Sequence, residues 1–208
     1  MSITRYPLGP MGNNTYLIVD DSTGEAALID PSFESEELWP EFQRRGIHLR
    51  YLINTHAHFD HVVGNAFYAA EAGLPIALHR ADLPLLRALP EQGRMFGITV
   101  AASPDPTIWL EEGRPLVLGE TEIAVLHTPG HSPGHVTLVV EDAALCGDCL
   151  FAGSIGRTDL PGASHATLLH SIRTRLLTLP DETRVLPGHE EPTTIGTERR
   201  TNPHLRGL

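Results

Sequence analysis

The sequence predicts an α/β fold of two similar halves, each consisting of a β-sheet covered by helices. Short runs of β-branched and apolar residues, separated by turn-forming residues, alternate with stretches that have apolar residues at helical spacing. The order of elements in the first half, a β-meander, a helix, a strand and helices, is broadly repeated in the second half. Two such sheets packed face to face would leave helices on both outer faces, which makes four layers.

The first half begins with three short predicted strands that would form an antiparallel meander. They cover residues 3–8, 15–19 and 26–29, separated by turn-forming stretches. The elements predicted after the meander are a helix at 35–45, a strand at 51–53, a helix at 62–72, a strand at 75–78 and a helix at 81–89. Residues 91–106 have scattered Gly and Pro without a clear period, so we expect irregular structure with a short helix there.

The second half returns to a β pattern and then to helices. Its predicted elements are strands at 115–118, 122–127, 135–141 and 143–146, a helix at 166–179, a strand at 185–186 and a helix at 194–201. In the first of these helices Leu168, Ile172 and Leu176 share one apolar stripe, as a helix that packs on a sheet requires. Because no linker interrupts the pattern, we expect a single domain over residues 1–208.

Composition and charge exclude several classes of function. The net charge is −11, and all 15 basic residues are arginines without a basic run, which disfavours binding to nucleic acid or to an anionic membrane. The sequence has no signal-peptide or membrane-span pattern, and Cys146 and Cys149 are too close together to staple the fold. We therefore expect a cytoplasmic protein, whose 12 histidines favour imidazole metal sites; its oligomeric state stays open.

The densest group of chemically active side chains follows the predicted strand at 51–53. His56, His58, Asp60 and His61 lie within six positions. In extended backbone the first three would point to one side and His61 elsewhere. The stretch can thus offer two imidazoles to one metal ion, and a carboxylate and an imidazole to a second. These ligand types suit Zn, Fe and Mn.

Three more stretches combine a strand end, a glycine-containing turn and a group that can bind metal. They provide His131, Asp148 and His189. The expected ligands are His56, His58 and His131 for one ion, Asp60, His61 and His189 for the other, and Asp148 as a bridge between them. Seven ligands for two ions are what a two-metal hydrolytic centre requires.

These motifs resemble those of the metallo-β-lactamase fold superfamily, and within it those of short bacterial glyoxalase II-like (hydroxyacylglutathione hydrolase-like) proteins. The matching stretches are 55–61 (THAHFDH), 128–135 (TPGHSPGH), 147–162 (GDCLFAGSIGRTDLPG), 187–189 (PGH) and 200–203 (RTNP). The resemblance implies an αββα sandwich of two mixed sheets, with the site at one edge between them.

The resemblance also implies a metal-dependent thioesterase. Two divalent ions, expected to be Zn²⁺ with Fe or Mn as alternatives, would hold a hydroxide that attacks a small-molecule acyl-thiol such as S-lactoylglutathione. Asp60 would orient this nucleophile or move its proton. In glyoxalase II a Lys and a Tyr contact glutathione, and Arg157 and Asp159 take their places here. Arg157 would hold a substrate carboxylate or, alternatively, pair with Asp159.

Other functions stay open at this stage. The stretch 156–159 (GRTD) is shared with mono-iron persulfide dioxygenases of the same fold, whereas TPGHSPGH and PGH favour a hydrolase. A lactonase or esterase and a non-catalytic metal-binding module are further alternatives. Full-length glyoxalase II enzymes continue into a helical domain that helps to bind glutathione. Because this sequence stops at Leu208, we expect it to lack that domain, so another acyl-thiol or a smaller ester is an alternative substrate.

Overall fold

A computed structural model describes residues 1–207 as two β-sheets that lie face to face with helices outside them. The strands of the first sheet are β1 (Ser2–Leu8), β2 (Asn13–Val19), β3 (Glu25–Ile29), β4 (His48–Ile53), β5 (Ile76–His79) and β6 (Ile108–Leu110). Those of the second half are β7 (Leu116–Leu118), β8 (Thr121–His127), β9 (Val136–Val140), β10 (Ala143–Gly147), the hairpin of β11 (Leu150–Phe151) and β12 (Ser154–Ile155), β13 (Arg184–Pro187) and β14 (Thr193–Thr194).

Both large sheets have six strands and are mixed. The first has the order β1-β2-β3-β4-β5-β6, antiparallel up to β3 and parallel from there. The second has the order β14-β13-β10-β9-β8-β7, in which only β10 and β13 are parallel. This architecture confirms the predicted αββα sandwich of mixed sheets.

Short helices connect and cover the sheets. The α-helices are α1 (Trp39–Arg44), α2 (Phe59–Val62), α3 (Asn65–Ala72), α4 (Leu83–Arg87), α5 (Leu89–Met95), α6 (His165–Ser171) and α7 (Ile195–Thr201). Single 3₁₀ turns lie at Ser35–Leu38, Arg80–Asp82 and Pro203–Leu205, and a π turn continues α6 over Ile172–Leu176. Among residues 1–207, every helix is too short or too polar to cross a bilayer.

The core follows from the two-residue alternation of the strands. In β2, Ile18 packs between the two sheets, while its neighbour Leu17 points the other way and packs against Phe42 and Tyr68 of the outer helices. On the other outer face, the apolar stripe of α6 and the π turn covers the second sheet, as predicted. A smaller cluster joins α2, α4 and α5 at one end of the sandwich.

Several local predictions were wrong. One helix was expected at 62–72, but α2 already begins at Phe59 and is separated from α3, so Asp60 and His61 lie on a helix. The strands β6, β11, β12 and β14 were not predicted, because two or three residues are too few to show a period. One expectation agrees with the structure: α5 is a short helix at the start of the otherwise irregular stretch 91–106.

Asp20 ties the edges of the two sheets together. Its Oδ1 accepts hydrogen bonds from the backbone and hydroxyl groups of Ser22 and Thr23, which close the turn between β2 and β3. Its Oδ2 accepts from Glu120 N at 3.1 Å and Thr121 Oγ1 at 2.7 Å, in the turn between β7 and β8. The hydroxyls of Ser22 and Thr121 thereby hold the pKa of Asp20 well below its ordinary value.

We expect Asp20→Asn to lower the midpoint of thermal unfolding at pH 7 by several degrees, because the amide nitrogen of the asparagine would face hydrogen-bond donors. Since the folded-state pKa is depressed, the stabilisation is present above the unfolded-state pKa of about 3.9 and is lost as the pH falls below it. The difference in the midpoint of thermal unfolding between wild type and variant should therefore become smaller towards pH 3. Asp21→Asn is the control, since Asp21 is 62% exposed; an equal effect of both variants would contradict the role of Asp20.

Candidate metal centre

The predicted ligands converge at one edge of the sandwich, where several strands end. Chain segments leaving β4, β8, β10 and β13 carry, respectively, the 56–61 group, His131, Asp148 and His189. His56, His58 and His131 have ligand atoms within 4.8 Å of one another, and so do Asp60, His61 and His189. The structure thus brings together the two sets that the sequence predicts.

Asp148 lies between the two sets. Its Oδ2 is 3.5 Å from His131 Nε2 in one set and 3.6 Å from His189 Nε2 in the other. Its Oδ1 is 3.4 Å from His61 Nε2. A carboxylate in this position can reach both sets, as a bridging ligand must.

The spacing of the second set suits a tetrahedral metal ion. His61 Nε2 and His189 Nε2 are 3.3 Å apart, and Asp60 Oδ2 is 3.4 Å from His189 Nε2 and 3.5 Å from His61 Nε2. Ligands at 2.0–2.2 Å from a tetrahedral zinc ion lie roughly 3.3–3.6 Å from one another. In the first set, His58 Nδ1 and His131 Nε2 are closer, at 2.8 Å.

Hydrogen bonds on the outer side of the centre orient three of the imidazoles. The Nδ1–H of His131 donates to the Arg157 carbonyl at 2.8 Å, and that of His189 donates to the Met11 carbonyl at 3.2 Å. His61 Nδ1 donates to Asp30 Oδ2 at 3.2 Å. Each bond fixes the proton on Nδ1 and leaves the Nε2 lone pair facing the centre, as metal-binding histidines require.

His56 is oriented by a relay through Thr55. The Thr55 hydroxyl donates to Asp30 Oδ2 at 2.6 Å, so it accepts from His56 Nδ1–H at 3.0 Å. His56 Nε2 is then a buried acceptor without any hydrogen-bond partner, and the same holds for Asp148 Oδ1. Buried acceptors are rarely left unpaired. Two of them directed into one centre, among neutral imidazoles and carboxylates, fit bound divalent metal.

For four of the ligands the electrostatics favour the states that metal binding needs. Burial lowers the pKa of His56 well below its ordinary value and that of His58 to about 3, so both imidazoles are neutral. Burial opposes ionisation of Asp60 and Asp148, but the neighbouring His61 outweighs it and keeps the pKa of both carboxyl groups low. Neutral imidazole and ionised carboxylate are the forms that coordinate metal. Burial also lowers the pKa of His61 and His189, but Asp60 and Asp148 outweigh it and raise both, so metal binding there would displace a proton.

The predicted grouping of the ligands in residues 56–61 agrees with the structure. The reason given for it, side chains that alternate in extended backbone, was wrong. His58 is extended, with φ −73° and ψ 144°, and caps α2, whereas Asp60 and His61 lie inside that helix. Helical geometry therefore orients Asp60 and His61, and a period of two does not apply to them. A helix this short is held by its buried neighbours and could not be recognised from periodicity.

The glycines beside the ligands have the expected role. Gly147 adopts a φ of 43°, and a Cβ there would collide with the hydroxyl of Thr55 and the ring of His135. A Cβ on Gly188 would collide with Asp148 Oδ1 and lie 2.7 Å from His61 Cε1. Any side chain at these two positions would push the ligand-bearing turns apart.

Three buried side chains at the centre were missed from the sequence. Asp30, which follows β3, supports His61 and Thr55 in a left-handed conformation of φ 48°. Asn13 donates from Nδ2 to Asp60 Oδ2 at 2.9 Å, so the start of β2 reaches the site. Asp82 joins two ligand loops. In the sequence, each of these three residues is marked only by a polar side chain near one end of a strand, a pattern that many ordinary turns share.

Asp82 positions the first ligand set, although it makes no hydrogen bond to a ligand side chain. Its Oδ2 accepts from Ala57 N at 3.0 Å, between His56 and His58, and from Ser132 Oγ at 2.7 Å, next to His131. Its Oδ1 accepts from Gly134 N at 2.5 Å. One buried carboxylate thereby fixes the spacing of two loops that are distant in sequence.

Other histidines and the cysteines lie behind the ligands. His135 Nε2 accepts from Asp148 N at 3.1 Å, so its Nδ1–H faces Thr128 Oγ1 and the ring supports the bridging carboxylate. Both cysteines are free and fully buried. Burial raises the pKa of Cys146 to about 12 and that of Cys149 well above its ordinary value. This environment agrees with a packing role rather than a redox role.

A cavity of about 250 Å³ opens from the centre to solvent. Five of the predicted ligands line it: His58, Asp60, His131, Asp148 and His189. The remaining lining residues are Met11, Phe59, Leu85, Gln92, Met95, Phe96, Arg157, Leu160 and Pro161. Arg157 therefore borders the cavity, but its Nε and Nη2 each lie 2.7 Å from an Asp159 oxygen. Of the two predicted alternatives, the structure contains the internal pair.

The chain belongs to the metallo-β-lactamase superfamily of metallo-hydrolases, whose profile matches residues 8–189. It is 39% identical to hydroxyacylglutathione hydrolase GloC of Haemophilus influenzae over 99% of this chain and 98% of that protein. The BLEG-1 B3 metallo-beta-lactamase structure matches with a TM-score of 0.92 and 36% identity, over 99% of this chain and 100% of that one. TTHA1623 in a di-iron-bound form matches with a TM-score of 0.89 and 44% identity, over 96% and 98%.

We expect Asp82→Asn to weaken metal binding about 10–100-fold. The amide nitrogen of the asparagine would face hydrogen-bond donors where a carboxylate oxygen now accepts, so the two ligand loops would separate. The measurement is metal retained during dialysis against graded chelator concentrations, with circular dichroism to verify folding. Asp105→Asn is the control, since that carboxylate is 55% exposed and pairs only with Arg87 among the described residues. Equal retention in both variants would contradict the positioning role of Asp82.

Proposed function

We propose that the protein is a thioesterase that hydrolyses an acyl-thiol substrate at a dinuclear metal centre. The observation that carries the proposal is the position of Asp148 between two complete ligand sets. The near full-length similarity to hydroxyacylglutathione hydrolase GloC supports a thioester as the bond that is cleaved. Zn²⁺ is the proposed metal; iron is the alternative, supported by the di-iron-bound form of TTHA1623.

The side chains have distinct roles in this proposal. His56, His58 and His131 would hold one ion, Asp60, His61 and His189 the other, and Asp148 both. When bound, two divalent ions supply a water-derived nucleophile at neutral pH and polarise the substrate carbonyl. The outer hydrogen bonds keep the ligands in place before substrate arrives.

Asp60 is proposed to position the nucleophile as well as bind metal. It lines the cavity, and Asn13 Nδ2 holds its Oδ2 at 2.9 Å. The carboxylate can accept a hydrogen bond from the attacking group and orient it towards the carbonyl carbon. The thiol that leaves has a pKa of about 8.5, so its departure needs no dedicated general acid.

A persulfide dioxygenase is the second candidate. The stretch 156–159 (GRTD), which carries Arg157 at the mouth of the cavity, favours it. Such an enzyme needs one iron ion and oxygen. Occupancy of the second ligand set therefore distinguishes the two candidates.

The proposed function predicts two metal ions per chain and metal-dependent hydrolysis of thioesters, including S-lactoylglutathione. Protein loaded separately with Zn²⁺, Mn²⁺ and Fe²⁺ would be analysed for metal content and for thiol release. Oxygen uptake with glutathione persulfide would be measured on the same samples. One iron per chain with oxygen uptake, and no thiol release from any thioester, would reject the hydrolase.

His56→Ala should abolish metal-dependent turnover, with a loss larger than the roughly 10–100-fold typical of an outer hydrogen-bond partner. The physical reason is the removal of a buried lone pair that has no other partner. His48→Ala is the matched control, because His48 is exposed at the start of β4. Unchanged turnover in His56→Ala would reject the ligand assignment.

A further inference from the structure

We propose, on the basis of the thioesterase function proposed above, that the preferred substrate carries an apolar acyl chain. This chain would lie along an apolar wall of the cavity formed by Met11, Phe59, Leu85, Met95 and Phe96. The members of this wall range from Phe59, which is buried next to His58 and Asp60 in the chain, to Met95, which is largely exposed. A charged thiol carrier would then contribute less to recognition than the acyl chain does.

Exposed apolar side chains are concentrated at this cavity. Among residues 1–207, the large hydrophobic side chains that are exposed are Met11, Met95, Phe96 and Val117. Three of these four line the cavity, and Met95 and Phe96 are 70% and 46% exposed. Exposed apolar groups that cluster beside a polar centre mark a ligand-binding surface.

Two tilted aromatic rings in contact lie between the opening and the metal ligands. Phe96, just after α5, has its ring centroid 5.0 Å from that of Phe59 at an angle of 32°. Phe59 lies between His58 and Asp60 in the chain and is only 3% exposed. An acyl chain whose carbonyl reaches the metal centre would therefore pass directly along this pair.

The charges of the cavity disfavour an anionic carrier. Arg157 is the only arginine among the described lining residues, and it is paired with Asp159 through two hydrogen bonds of 2.7 Å. The net charge of −11 also disfavours the approach of an anionic carrier. Outside the metal centre, carboxylates such as those of glutathione would meet a cation that is already paired, whereas methylene groups would find apolar contacts along the wall.

The test compares a series of S-acyl-N-acetylcysteamine thioesters, from acetyl to octanoyl, with S-lactoylglutathione on the metal-loaded protein. Burial of each methylene group should raise kcat/KM about fourfold until the wall is covered. The octanoyl ester should then exceed both the acetyl ester and S-lactoylglutathione. A flat or falling series with turnover present would overturn the apolar-chain inference alone, whereas no hydrolysis of any thioester would overturn the thioesterase itself.

Phe96→Ser tests the wall directly, with Val117→Ser as an equally exposed apolar control on the second sheet. The ratio of octanoyl to acetyl kcat/KM should fall about tenfold in Phe96→Ser and stay unchanged in Val117→Ser. Calorimetric binding of octanoate and acetate gives a readout independent of turnover: octanoate should bind more tightly, and Phe96→Ser should remove most of the difference. An unchanged ratio and unchanged octanoate binding in Phe96→Ser would contradict the proposal.

Discussion

The centre depends on the hydrogen bonds that the buried carboxylate of Asp30 accepts. It accepts from Thr55 N at 2.7 Å, from Thr55 Oγ1 at 2.6 Å and from His61 Nδ1 at 3.2 Å. Through Thr55 it also orients His56. The end of β3 thereby fixes one imidazole of each ligand set, and without it the buried donors of the loop after β4 would be left unpaired, at a cost of about 1–3 kcal/mol each.

The same principle extends to the ligands carried by the second sheet, since His131, Asp148 and His189 each have an outer hydrogen-bond partner. Asp82 spaces the loops of His56 and His131, and His135 supports the backbone of Asp148. The ligands are thus held by polar partners from both sheets, while the apolar core between the sheets keeps those partners at a fixed distance. The Nε2 lone pairs of His56, His61, His131 and His189 converge on one place because Nδ1 of each ring is hydrogen-bonded to an outer partner.

Much of the fold and of the candidate site could be predicted from local pattern. Strands such as β2 and β8 show their period in the sequence, and His131, Asp148 and His189 follow strand ends in glycine-containing turns. The very short elements could not be predicted, since two to four residues carry no period. For α2 this mattered, because a helix and not an extended loop directs Asp60 and His61.

The sequence by itself determined the layered fold, through periodicity and motif resemblance, and the chemistry of the candidate ligands, through residue type. Their division into two sets does not follow from a period of two, because helix α2 directs Asp60 and His61. Only the tertiary structure decided which ring nitrogen faces the centre, that Asn13, Asp30 and Asp82 support it, and that Arg157 pairs with Asp159. It also gathered the apolar wall of the cavity from separate segments. The physical reason is that hydrogen-bond partners and cavity walls arise from segments far apart in the chain, whose approach no local pattern specifies.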